Sequence, residues 1–228
     1  MKRREGFTLA EVLITLTIIG VISALTLPAI QSNTAANRNR VTLKNTMAIL
    51  SQAAQNNMDT EGWNYSHIVD DCGAVAAARE QNSMDNYSIC GLMNSNLTGE
   101  TLLGMNSTIG SYSVADDLPT SYSGMVHYQL ANGAVVGLHM LNHGTNCRED
   151  NIDHNCLGYI DVNGFAGPNR TIKCANGTQK YSWEENYDAR TRTCEVERTT
   201  NADTFPIAFY GTTIELVSDA ARSYVNAR

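Results

Sequence analysis

The chain predicts an α+β protein in which one long N-terminal helix, apolar in its first half, packs on a small antiparallel sheet with disulfide-stapled loops. Three observations carry that expectation: an uncharged run from Val12 to Ile30, two alternating segments on either side of Asn132-Gly133, and six cysteines that all lie beyond residue 70. With 228 residues, 43% of them hydrophobic and 17% charged, the chain has the composition of one foldable domain plus a helix rather than of a disordered polymer.

The helix comes first. Val12 to Ile30 is nineteen residues without a charge, about 28 Å as a helix and enough to cross a hydrocarbon layer about 30 Å thick. Lys2, Arg3 and Arg4 precede it and the next basic residue is Arg38, an asymmetry that keeps the N-terminus cytoplasmic and exports the rest. Glu11 is the anomaly at the head of the run. An ionised group in hydrocarbon costs on the order of 3 kcal/mol and calls for a partner. Thr8 and Glu11 also have the S/T-x-x-E spacing of a capping box, which by itself gives the carboxylate a local role. A cleaved secretory signal is a competing reading, but its apolar region is about 7 to 15 residues long and ends in an A-x-A-like site. A plain anchor explains the apolar run and leaves Glu11 unexplained.

Gly6-Phe7-Thr8-Leu9-Ala10-Glu11, followed by the apolar run with Ile19-Gly20 and Pro28, resembles the leader and N-terminal helix of type IV pilins and type II secretion pseudopilins. The resemblance implies that residues 1–6 are a prepilin leader, that a prepilin peptidase cuts between Gly6 and Phe7, and that the new Phe7 amine is methylated. It implies that Glu11 pairs with the N-terminal amine of a neighbouring subunit, and that Gly20 and Pro28 mark the segment of helix that breaks or loosens in filaments. The partners it implies are the peptidase, other pilin or pseudopilin subunits, and an inner-membrane assembly platform with a cytoplasmic ATPase. Loss of residues 1–6 leaves 13 basic against 22 acidic side chains, a net charge of −9, so overall charge disfavours nucleic acid as a partner.

Residues 7–30 are then expected as the transmembrane and filament-core helix, 31–61 as its amphipathic continuation, and 62–228 as an exported pilin-like head. Leu43, Met47, Leu50 and Ala54 recur at spacings of four, three and four, and Gly62 is the expected stop. The alternative is two helices separated at Pro28. From Trp63 to Tyr122 we read loops with one short helix at 74–79. Segments 124–130 and 134–140 form a hairpin about Asn132-Gly133, 158–162 a third strand ending at Asn163-Gly164, 205–209 a fourth, and 218–225 a closing helix.

Cys72, Cys90, Cys147, Cys156, Cys174 and Cys194 are even in number in an exported, loop-rich region, which argues for disulfides. Fifteen pairings are available; the sequential one, 72 to 90, 147 to 156 and 174 to 194, closes the shortest local loops and is the one we expect. No C-x-x-C pair supports structural zinc. His139 and His143 are four apart, but one falls in a strand and the other in a loop, with no H-E-x-x-H between them. No nucleophile elbow, P-loop or dinucleotide fingerprint occurs, so nothing argues for an enzyme. Asp161-Val162-Asn163-Gly164, with Gly167-Pro168-Asn169 and Asp203 further on, resembles a C-terminal segment of pseudopilin-like proteins, and by that resemblance Asp161, Asn163 and Asp203 are calcium candidates. The alternative is a plain Asn-Gly turn capped by Asp161; beyond that ion no cofactor is expected. Six N-x-S/T sequons read as an Asn-rich surface. The expected function is a structural subunit, pseudopilin or minor pilin, of a type II secretion or type IV pilus filament. The alternatives are a membrane-tethered binding module or adhesin that does not polymerise, and an anchored enzyme.

Overall fold

The computed structural model describes residues 8–70, 72, 87–104, 108–109, 112–113, 118, 124–139, 147, 156–167, 169–177, 180–182, 194–197 and 200–226. Helix α1, Leu9–Glu61, runs 53 residues without interruption, about 80 Å at 1.5 Å per residue. Gly62 ends it in the left-handed conformation at φ 80°, its amide donating to Met58 O, which satisfies a terminal carbonyl at no side-chain cost. Pro28 sits inside the helix, so the alternative of two helices separated at Pro28 is set aside, while the loosening expected at Gly20 and Pro28 concerns the filament and not the single chain. A proline removes one backbone bond, and the turns on either side still hold. The hydroxyls of Thr15, Thr17, Thr26 and Thr34 bond back to carbonyls three or four residues earlier, so no hydroxyl of this group is left open to hydrocarbon.

Beyond the span one stripe of α1 turns inward. Ala36, Asn39, Leu43, Thr46, Leu50, Ala53 and Asn57 are all buried, at spacings of three and four. They meet a six-stranded antiparallel sheet of order β1-β4-β5-β6-β7-β8: β1 Thr101–Gly104, β4 Met125–Gln129, β5 Val135–His139, β6 Leu157–Asp161, β7 Thr204–Tyr210 and β8 Thr213–Leu216. Strands β2, Thr108–Ile109, and β3, Tyr112–Ser113, form a separate pair. The sheet is wider than the three or four strands expected, because β1 and β8 are four-residue edges with too little pattern to stand out. Helix α2, Ile89–Asn96, capped by the Ser88 hydroxyl, occupies a stretch read as loop. The helix expected at 74–79 lies outside the described residues.

The sheet has two buried faces. Val126, Tyr128, Val136, Leu138, Ile160, Phe205, Ile207 and Phe209 join Leu43 and Leu50 of α1 in the main core. Met125, Val135 and Tyr159 pack on the other side with Leu118. Gly137 lies between His127 and Tyr159 in register, and a Cβ there would fall 2.2 Å from the Tyr159 ring, so glycine is what lets that ring lie across β5.

His127 occupies this second face. It is fully buried, its Nδ1 donates to Gly104 O at 3.3 Å, and Nε2 has no partner among the described residues. Burial pushes its pKa down to about 4, opposed by the Gly104 carbonyl. A folded value below the unfolded 6.5 means that the unfolded chain binds the proton first. Stability is therefore full above about pH 6.5 and falls as pH drops toward 4. We expect about 2 kcal/mol to be lost between pH 7 and pH 5 in urea titrations, and that portion to vanish in His127→Gln. Identical pH slopes for the two proteins would refute the assignment.

Helix α3, Asp219–Asn226, closes on α1. The Tyr224 hydroxyl donates to Ala36 O at 2.9 Å, Arg40 Nε donates to Tyr224 O at 2.9 Å, and the Arg40 guanidinium lies 4.5 Å above the Tyr224 ring. Phe205 stacks on that ring at 5.3 Å between centroids. Burial raises the Tyr224 phenol to about 12, so it stays a donor at any physiological pH.

Candidate functional site

Three separate places carry the sequence-predicted residues. At the start of α1, Thr8 adopts extended backbone and its hydroxyl accepts from the Glu11 amide at 3.3 Å, while Glu11 Oε2 accepts from both the Thr8 amide and the Thr8 hydroxyl at 2.8 Å. The capping box is therefore complete, and it engages one carboxylate oxygen. Oε1 makes no contact among the described residues. Gly6 and Phe7, the expected cleavage pair, and the leader 1–6 lie outside the described residues.

From Leu9 to Ile30 the large apolar side chains of α1 are 44% to 81% exposed, too much greasy surface for water. Among the described residues α1 is the one helix long and apolar enough to cross a membrane, and the window that qualifies is unburied. A helix of this kind needs lipid or other copies of itself around it.

The cysteines form three bridges, Cys72 to Cys90, Cys147 to Cys156 and Cys174 to Cys194, with Cα separations of 5.4, 5.4 and 5.1 Å. The first ties the chain after α1 to α2, the second anchors the start of β6, and the third closes the excursion between β6 and β7. No cysteine is free for metal or redox chemistry.

The third place is the Asn163-Gly164 turn. Asp161, Asn163 and Asp203 do come together there: Asp161 Oδ1 accepts the Asn163 amide at 3.2 Å, and Asp203 Oδ2 accepts Asn163 Nδ2 at 3.0 Å. The other Asp203 oxygen accepts the Arg170 amide. The carboxylate oxygens named here thus face N–H donors, and no group of three His, Cys, Asp or Glu among the described residues is placed to hold a metal. Gly164 stands at φ 63° with Gly133 O 2.3 Å from where a Cβ would be, so the turn after β6 packs against the β4–β5 hairpin turn. From this geometry we expect 1 mM calcium and excess EGTA to give the same melting temperature; a rise of more than about 2 °C with calcium would mean that the turn rearranges into a cage. His139 ends β5 half-exposed, and His143 lies outside the described residues.

An unburied apolar helix, headed by one carboxylate and carrying a disulfide-bridged antiparallel head, fits the class of α+β pilin-like folds. Residues 1–27 match the family model described as the prokaryotic N-terminal methylation motif, which supports the type IV pilin-like family and marks the chain as similar to prepilin-peptidase substrates. The match ends inside the apolar half of α1, so the head lies beyond it. Neither the curated proteins nor the solved structures give a match to the chain.

Sequence reasoning missed one feature. Arg38, Asn39, Asn132 and Asn201 gather at the junction of span and head, where α1 meets the hairpin turn and the approach to β7. Each reads singly as a polar side chain meeting water; in the fold the Asn39 to Asn201 bond, across 162 positions, joins two of them.

Proposed function

We propose that the chain is a structural subunit, a pseudopilin or minor pilin, of a type II secretion or type IV pilus filament, cleaved after Gly6, N-methylated at Phe7 and assembled through Glu11. The observation that carries this reading is the half-engaged carboxylate: Thr8 holds Glu11 Oε2, which fixes the side chain at the helix start, and leaves Oε1 open. A neighbour's N-terminal amine is the partner that neutralises it in an apolar surrounding. The head and the upper half of α1 stand outside the inner membrane as one packed unit, and the apolar half of α1 exchanges lipid for the helices of other copies on extraction. A separate ATPase supplies the work of extraction. No residue of the chain is assigned catalysis.

Mass spectrometry of the mature N-terminus tests it. Methylated Phe7 is the expected first residue. A retained Met1, or a cut beyond residue 28, makes the protein a tethered binding module or a released head instead.

A further inference from the structure

At the level where the span emerges, α1 forms one wall of a groove with room for about 540 Å³, within the range of small-molecule sites. Ile30 and Gln31 lie at its lower end and Arg38 and Asn39 at its upper end; Asn132 of the β4–β5 turn and Asn201 before β7 face them. The wall is fixed: Asn39 Nδ2 donates to Asn201 Oδ1 at 3.2 Å and to Ala202 O at 2.9 Å, and Asn132 Nδ2 donates to Thr46 Oγ1 at 2.9 Å. Arg38 makes no hydrogen bond or ion pair among the described residues.

Two further facts give the groove a chemistry. Its lining contains one cation and no carboxylate, in a chain whose net charge is −7. It is also at headgroup height. The polar layer on each side of a bilayer is about 5 to 8 Å deep, and Arg38, eight residues past Ile30, has its Cα about 12 Å above the end of the span. Helical side chains lean toward the N-terminus, which carries a long side chain back by about one turn and into that layer.

We infer that this groove seats the phosphodiester of one membrane phospholipid, with Arg38 meeting the phosphate oxygens, the amides of Gln31 and Asn201 donating to those that remain, and Ile30 lying against the root of the acyl chains. A guanidinium with open donors matches a singly charged phosphate, and amides add donors without adding charge. The inference rests on the membrane anchorage of α1 in the function proposed above. Its consequence is that the subunit holds a lipid at the membrane surface and must release it to leave.

The full chain, purified in mild detergent, is examined by native mass spectrometry beside Arg38→Gln and Lys44→Gln; Lys44 is an exposed basic residue of the same helix outside the groove. We expect one phospholipid retained per wild-type chain, about tenfold less on Arg38→Gln and no change on Lys44→Gln. After delipidation, phosphatidylethanolamine or phosphatidylglycerol should rebind and diacylglycerol should not. Wild type without lipid, equal losses in both variants, or equal rebinding of diacylglycerol overturns the site. So does an Arg38→Gln protein that keeps its lipid and fails to enter filaments, which would make the groove a seat for another copy. Alkaline extraction of the same membranes separates the two levels: protein that washes off refutes the anchor, whereas protein that stays without bound lipid refutes only the groove.

Discussion

Glu11→Gln is expected to stay in the membrane, keep its helix and fail to enter filaments, with incorporation down by more than tenfold. The amide still presents an oxygen to the Thr8 amide and hydroxyl, so the cap survives in part, at a cost within the ~0.5 to 2 kcal/mol that a whole cap contributes. What it loses is charge. An unneutralised ammonium of a neighbour buried among apolar helices costs on the order of 3 kcal/mol, and it recurs with every subunit added. Thr8→Ala gives the complementary result: it removes the hydroxyl and keeps the carboxylate, so incorporation should fall less than in Glu11→Gln. Sheared-filament yield against total membrane protein measures both. Wild-type yield from Glu11→Gln would reduce the carboxylate to a helix cap.

The second large effect concerns the head. Its bridges close loops of 18, 9 and 20 positions, each worth about 3 kcal/mol in the chain-entropy treatment and on the order of 9 kcal/mol together. A domain has about 5 to 15 kcal/mol in all. Reduction under conditions where all six thiols can be counted should therefore bring the urea midpoint of the head close to zero, while the apolar half of α1 stays protected in detergent from added protease. An unchanged midpoint after verified reduction would show that the sheet and α1 suffice. Such a head needs an oxidising compartment to fold, which agrees with export.

The parts of this architecture that could be read from the residues were those with local causes. Thr8, Glu11 and Gly62 bound α1 by cap chemistry within a few positions, and the Asn132-Gly133 hairpin declares itself by its turn. The parts that could not be read have non-local causes. Strands β4 to β7 were legible as strands, but not that both their faces are covered, so that Val135 and Val136 are both buried. Helix α2 contains Gly91, Asn94, Ser95 and Asn96, poor helix formers, and holds through the Ser88 cap, the bridge at Cys90 and contact with α1. Edge strand β8 follows a two-residue Gly211-Thr212 turn that is visible only after β7 is in place. The turn of Asp161 and Asn163 was visible, but not that N–H groups of Asn163 and Arg170 would take up Asp161 Oδ1 and both oxygens of Asp203.

The latch between Tyr224 and Ala36 joins positions 188 apart, and it has a temporal meaning. In the export that the proposed function entails, the rod emerges early, and the clasp that secures it arrives only when residue 224 has crossed. Until then the surface of α1 around Ala36 and Arg40 stands uncovered by α3, an interval in which a periplasmic chaperone, or a sister rod, has access to surface that the finished protein conceals.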